Sequence, residues 1–257
     1  MKVVLLAGGL GTRLREETDV KPKPMVEVGD RPILWHIMKT YAHFGHSDFV
    51  ICAGYKGEVI KNWFANYRVL NSDFTVSFKD TVSLKFHSEL AENGWNATIA
   101  DTGAETMTGG RIKRVQDYVG NETFLCTYGD GLADVDIKAL LKFHRSHGKI
   151  ATLTTVKPVS RFGVLDVDAN NQVESFKEKP QAEGSINGGF FVFEPQIFDY
   201  LDDNSILEQE PLRRLAEDGQ LMAFHHEGFW QPMDTYRELT ILNELWKSGS
   251  APWKVWE

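Results

Sequence analysis

Apolar runs and helical stripes alternate along this chain, and their order predicts an architecture. Val3 to Ala7 is an unbroken apolar run of strand length that ends on glycines. Between Ile33 and Phe44, the residues Ile33, Leu34, Ile37, Met38, Tyr41 and Ala42 recur at helical spacing and share one face. A strand at Phe49 to Ala53 and a helix near Glu58 to Tyr67 follow, then short strands around Phe74 to Phe78 and Val82 to Phe86. Ile112, Val115 and Val119 mark the apolar face of another helix, and Phe124 to Tyr128 the next strand.

Further on, the pattern predicts a helix over Ile137 to His147, a strand over Ile150 to Val156, and a hairpin over Val164 to Glu174 turning on Asn170 and Asn171. Strands at Phe190 to Phe193 and Leu221 to Phe224 come next, then a last long helix from Tyr236 to Trp246. Strands that alternate with helices build a parallel sheet covered on both faces, and the hairpin region makes that sheet mixed. The expected class is α/β with a mixed, mainly parallel central sheet. No repeat, low-complexity tract or linker divides the 257 residues, so one domain is expected over 1–257.

Composition narrows the partners. A hydrophobic content of 42% is ample for a large core. Lys plus Arg number 28 against 36 acids, a net charge of -8, which argues against nucleic acid or an anionic membrane as a partner. Any anionic ligand must therefore meet a local positive site. The opening MKVVLLAGG is too short an apolar stretch for a signal-peptide core or a membrane span. Cys52 and Cys126 fall inside apolar runs and read as small core residues, which fits a reducing cytoplasm.

The stretch LLAGGLGTRL, Leu5 to Leu14, is the first candidate for chemistry. It fails the dinucleotide fingerprint, because Leu14 stands where the third glycine belongs, and it fails the P-loop pattern, because no Gly-Lys-Ser/Thr follows. What remains is a glycine-rich turn leaving the carboxyl end of the first strand, where open α/β sheets bind ligands. Its backbone N–H groups and Arg13 can meet an anion. A tight turn needing glycine for backbone geometry alone is the alternative. Ten residues on, KPKPM holds Lys23 between Pro22 and Pro24, which stiffen a lysine that is otherwise a solvated surface charge.

These residues carry a resemblance. LAGGLGTRLREETDVKPKPM resembles the signature of the sugar-nucleotide pyrophosphorylases, nucleotidyltransferases that join a nucleoside triphosphate to a sugar 1-phosphate. DTGAETMTGGRIKRV, TYGDG, SFKEKP, INGGFFVF, EQEPL and GFWQPMDT, in that order, are similar to the branch of the family that uses CTP and glucose 1-phosphate. The resemblance implies a Rossmann-like, GT-A-like three-layer fold, with sugar-binding insertions and a C-terminal helix on a single nucleotidyltransferase domain. It implies a nucleotide site at Leu6, Ala7, Gly8, Gly9, Gly11, Thr12, Arg13, Lys23, Gly103, Arg111 and Tyr128, with Arg111 near cytosine. It also implies Mg²⁺ on Asp130 and Asp234, a homo-oligomer, and a cytoplasmic pathway feeding cell-surface dideoxy sugars of the lipopolysaccharide O-antigen. A UTP- or dTTP-dependent enzyme and an inactive nucleotide-sugar sensor are the other readings. Asn71 to Trp95 matches no motif.

The residue chemistry fits the family, while the choice of cytosine rests on the resemblance alone. A sugar 1-phosphate is already an anionic nucleophile, so attack on the α-phosphorus needs alignment and charge neutralisation rather than a general base. Arg13, Lys23, Asp130 and Lys179 are the expected catalytic set. Arg13 and Lys23 would draw charge off the β- and γ-phosphates. Asp130, between two glycines after a strand, suits Mg²⁺, though a Gly-Asp-Gly turn is the plain alternative. Asp234 is the second carboxylate or the N-cap of the last helix.

Lys179, before Pro180, suits the sugar phosphate, while Glu178, Asn187 and Gly188 suit the sugar ring. An exposed charged pair and a turn compete with those roles. Arg111 at a helix N-terminus is mildly unfavourable to the helix dipole, which favours a functional role for it. His225 with His226, and His144 with His147, lack the spacing of a zinc chelate. Trp230, Trp246, Trp253 and Trp256 read as core or subunit-contact residues.

Overall fold

A strand with apolar residues on both faces must be covered on both, and β1 (Lys2–Ala7) meets that condition by dividing its side chains between two cores. Val3, Leu5 and Ala7 join one cluster, and Val4 and Leu6 the other. The computed structural model describes residues 1–79, 81–158, 164–177 and 184–256. The remaining strands of the main sheet are β2 (Asp48–Ala53), β3 (Asn96–Asp101), β4 (Phe124–Tyr128), β5 (Ala151–Val156), β6 (Ile186–Phe193) and β7 (Leu221–His225). Their order is β7-β5-β6-β4-β1-β2-β3. All pairings are parallel except those of β6, which runs antiparallel to both β5 and β4.

The principal helices are α1 (Ile33–His43), α2 (Gly57–Ala65), α3 (Thr108–Arg114), α4 (Ile137–His147), α5 (Glu210–Glu217) and α6 (Tyr236–Lys247). α1 and α6 cover the face built on Val3 and Leu5, while α3 and α5 cover the face built on Val4 and Leu6. The result is the three-layer, mainly parallel α/β arrangement expected. Among the described residues no helix is long and apolar enough to cross a membrane.

Three features depart from the pattern reading. β3, Asn96–Asp101, is an edge strand whose mixed NATIAD sequence gives little periodic signal. α5 has only a short apolar stripe, with Leu212 and Leu215 buried. The helices expected near Glu58 to Tyr67 and around Val115 are each broken, at Asn66 and at Val115, where the backbone leaves helical geometry. Phe74–Ser77 and Ser83–Phe86 form a hairpin of their own outside the main sheet.

The late tryptophans pack inward. His36 on α1 is fully buried with ring contacts to Trp35, Trp246, Trp253 and Trp256. Its Nε2–H donates to the Val28 carbonyl at 2.8 Å, and Nδ1 accepts from Trp253 Nε1 at 3.3 Å. One ring nitrogen is thus a donor and the other an acceptor, which is the neutral tautomer. Burial pushes the His36 pKa down to about 4. A folded pKa below the unfolded value contributes stability that is complete above about pH 6.5 and is lost as the pH falls toward 4. Urea unfolding at pH 7.5, 6 and 5 should show that loss, with His36 contributing up to about 3 kcal/mol across the window. The slope should be shallower in His36→Gln; an unchanged slope would remove His36 as its source.

Candidate active site

The carboxyl ends of β1, β2, β3 and β4 lie side by side, and each leads into a loop at the same edge of the sheet. Arg111 on α3 ties three of these ends together. Its Nη2 donates to Gly8 O at 2.9 Å and Ala104 O at 3.2 Å, while Nη1 donates to Thr102 Oγ1 and Gly103 O, each at 2.7 Å, and more weakly to Ala53 O at 3.4 Å. Arg111 lines the cleft, with its Nη hydrogens committed to the loops. Burial pushes its pKa downward, and the ring of acceptors compensates the desolvated charge.

At the other end of the cleft, distant residues converge. Pro22 and Pro24 are buried on either side of Lys23 in the 3-10 turn Lys23–Met25. A Cβ on Gly129 would lie 2.9 Å from Leu6 O and 3.0 Å from Pro24 Cγ, so glycine lets the Asp130 loop approach this turn. A three-residue ladder, Gly131–Ala133 with Trp230–Pro232, pairs Pro232 with Gly131, and Met233 N–H donates to Asp130 O at 2.8 Å. That register brings Asp234 beside Asp130 across 104 residues of sequence.

Lys23 Nζ lies 2.7 Å from Asp130 Oδ2 and 2.5 Å from Asp234 Oδ1, and Arg13 Nη1 is 2.9 Å from Asp234 Oδ2. Burial by itself would lower the Lys23 pKa, but Asp130 and then Asp234 outweigh it and the net shift is upward, so the ammonium stays charged. The Arg13 side chain is 70% exposed, so its pair with Asp234 is weak and readily exchanged. Asp234 is not the cap of α6. Thr235 takes that role in a capping box with Glu238, whose carboxylate also accepts the Asp234 N–H at 2.8 Å. The Asp234 side chain is therefore left for the cations.

Between these ends lies a cleft of about 420 Å³. Leu6, Gly8, Gly9, Gly11, Thr12, Arg13, Lys23, Arg111, Tyr128 and Asp130 line it, all expected from the sequence. Ala7 and Gly103 do not; Ala7 is buried in the sheet and Gly103 contributes its carbonyl to Arg111. Asn187 and Gly188 sit beyond the cleft on β6, where Asn187 Nδ2 donates to Tyr128 Oη at 3.2 Å and Gly188 O accepts from Trp230 Nε1 at 2.8 Å. Glu178 and Lys179 lie outside the described residues.

The opposing lip, Ala104 to Thr108, carries no role in the motif reading beyond its place in DTGAETMTGG. A turn bearing Thr, Gly, Gly at the start of a helix is the signal that could have found it. His225 bonds Thr155 Oγ1 while His226 turns to Asp134, so the two imidazoles serve different partners.

A mainly parallel sheet with a glycine-rich cleft, cations and paired carboxylates at its carboxyl edge defines a nucleotide-handling α/β protein. The chain belongs to the nucleotidyl transferase family, whose profile matches residues 2–240. It is 58% identical to the glucose-1-phosphate cytidylyltransferase of Salmonella typhi over 260 aligned residues, 100% of both chains. It is 45% identical to the probable glucose-1-phosphate cytidylyltransferase of Bacillus subtilis (strain 168), again over 100% of both. The fold matches a UDP-glucose pyrophosphorylase solved with UDP-glucose, with a TM-score of 0.70 at 17% identity over 96% of this chain and 98% of that one. It also matches HddC from Yersinia pseudotuberculosis, with a TM-score of 0.67 at 24% identity over 95% and 99%.

The glycine loop offers a contrast that tests the Arg111 arrangement. A Cβ on Gly8 would lie 2.1 Å from Arg111 Nη1, whereas a Cβ on Gly9 meets nothing within 4 Å. Gly8→Ala should lower stability by about 1–3 kcal/mol, because the guanidinium is held by its acceptors and cannot give way. Gly9→Ala should stay within about 0.5 kcal/mol. Equal unfolding free energies for the two variants would show that Arg111 is not rigidly placed.

Proposed function

We propose that this chain transfers the cytidylyl group of CTP to α-D-glucose 1-phosphate, forming CDP-glucose and releasing pyrophosphate. The observation that carries the reading is the convergence of Arg13, Lys23, Asp130 and Asp234 at one end of a nucleotide-sized cleft. Its support in sequence is end-to-end similarity to glucose-1-phosphate cytidylyltransferases.

In the reaction, a phosphate oxygen of the sugar 1-phosphate bonds to the α-phosphorus. The bond from that phosphorus to the bridging oxygen breaks, and pyrophosphate leaves with the electron pair. Lys23 and Arg13 exchange their carboxylate partners for the phosphates and stabilise the charge that builds on the leaving group. The Gly8 to Gly11 loop admits the nucleotide to close backbone contact, and Arg111 holds that loop against the lip at Ala104. Lys179 is the cation assigned to the sugar phosphate, with Glu178, Asn187 and Gly188 toward the ring.

The donor set fits Mg²⁺. Asp130 and Asp234 are hard oxygen donors facing one point, and Mg²⁺ is commonly held by one or two carboxylates together with substrate phosphates. Among the described residues no group of three or more metal-ligating side chains gathers, which suits that open mode rather than an all-protein cage. When bound, the ion supplies neutralisation of phosphate charge. Phe78 and Val82, 79% and 71% exposed on the hairpin beside the main sheet, support a homo-oligomer that covers them.

Pyrophosphate release by the purified chain with Mg²⁺ and glucose 1-phosphate should be strong with CTP and weak with UTP, dTTP, ATP and GTP. Turnover with another base would keep the mechanism and overturn the cytidine assignment. Turnover with none of the five would point to a different sugar phosphate or, failing that, to a sensor. Asp130→Asn should cut kcat by at least about a hundredfold while unfolding as cooperatively as the wild type. Undiminished turnover with the same Mg²⁺ dependence would end the carboxylate's role.

A further inference from the structure

Glu208, the first acidic residue of EQEPL, has no part in the reaction above. It stands in the stretch 201–209 ahead of α5, exposed at the edge of the cleft. Its two carboxylate oxygens hold hydroxyls that come from opposite sides. Oε1 accepts from the Tyr128 hydroxyl at the end of β4, and Oε2 accepts from Thr108 Oγ1 at the start of α3, at 2.7 Å.

The polarity of this chain of bonds is fixed at each link. Tyr128 has one hydroxyl hydrogen, which goes to Glu208, and its oxygen accepts from Asn187 Nδ2 at 3.2 Å. Asn187 Oδ1 accepts the Gly189 N–H at 2.9 Å, so the amide cannot turn over without losing both bonds. Thr108 Oγ1 accepts the Leu207 N–H at 2.9 Å, which leaves its own hydrogen for Glu208. Glu208 is the acceptor on which both arms end.

Packing holds the two arms in place. Gly189 has φ +83, and a Cβ there would lie 2.3 Å from Tyr128 Cδ2, so the phenol ring presses on the β6 backbone. On the other arm, a Cβ on Gly110 would lie 2.3 Å from Asp203 O, and Gly110 N–H donates to Ser205 O at 2.9 Å. The stretch carrying Glu208 is therefore docked on α3 at backbone level.

We propose that Glu208 is a positioning residue of the sugar-phosphate site, acting through Tyr128 to hold the Asn187 amide in the orientation it presents to the sugar. This rests on the reading of Asn187 as a sugar contact in the proposed transfer. The motif EQEPL marks Glu208 in the sequence, but its bonds to Tyr128 and Thr108 are not visible in local pattern, because those partners are 80 and 100 residues away. A carboxylate suits the position because it only accepts; a neutral amide presents an N–H to one of the two hydroxyls and breaks the polarity. Burial and the neighbouring Glu208 carboxylate raise the Tyr128 pKa, which keeps the phenol a donor.

The test is a pair of mutant cycles on the full chain with Mg²⁺. KM for glucose 1-phosphate, KM for CTP and kcat are measured for wild type, Glu208→Gln, Asn187→Ala and the double variant. Urea midpoints are measured for Glu208→Gln, Tyr128→Phe and their double. Glu208→Gln should raise KM for glucose 1-phosphate by about tenfold, the loss of one oriented hydrogen bond, with a smaller change for CTP. In the Asn187→Ala background it should add little, and the two urea effects should likewise fail to add. Multiplying KM effects, or a lowered urea midpoint with unchanged KM, overturn the positioning role while leaving the reaction assigned. A wild type without CTP-dependent turnover overturns the reading on which the proposal rests.

Discussion

A single guanidinium sets the shape of the nucleotide cleft. Arg111 reaches from α3 beneath the glycine loop and donates to acceptors on the chain leaving β1, β2 and β3, so three separate strand ends are held in one geometry. Only a planar fork with several donors can do this; a lysine offers one nitrogen and could not span Gly8 O and Gly103 O together. The consequence runs back into the sequence. A Cβ on Gly8 or Gly54 would lie 2.1 or 2.3 Å from Arg111 Nη1, so both positions are restricted by the arginine beneath them. Part of what makes LLAGGLGTRL look like a phosphate loop is therefore the space a buried cation needs.

The same arginine shows where sequence reading stops. Its place at the cleft was an expectation from the family resemblance of TGGRIKRV, and its partners were not legible, since four of the five are main-chain carbonyls that any sequence supplies. The buried strands were legible because residues such as Val3, Val4 and Leu5 are apolar on both faces. β3 was not, because an edge strand needs no continuous apolar run and NATIAD offers none. α5 was hidden because Pro211 begins it and only Leu212 and Leu215 carry its stripe.

For the site, Lys23 and Asp130 stood out through the prolines and glycines around them, which are local signals. Asp234 and Thr235 can each cap a helix, and the choice between them depended on Glu238 reaching back to both N–H groups. Once Thr235 takes the cap, the carboxylate beside it is free to turn to Lys23. The ladder that delivers it is three residues long on each side, too short for any periodicity to register.

What that delivery achieves is an electrostatic balance. Two carboxylates and two cations meet at one end of the cleft, so the local charge sums to zero although the chain as a whole carries -8. In the proposed transfer, a triphosphate entering the cleft would meet Lys23 and Arg13 already paired with carboxylates. Asp130 and Asp234 take two of the three Lys23 Nζ hydrogens, so one remains for a phosphate oxygen while the stem is held by two buried prolines. Were both cations drawn to the nucleotide in the proposed transfer, the two carboxylates would be left with a charge of -2, the charge a single divalent ion would cancel. The pairing of Lys23 with both aspartates holds the two carboxylates together at one end of the cleft, and in the proposed transfer it would link nucleotide binding to metal binding.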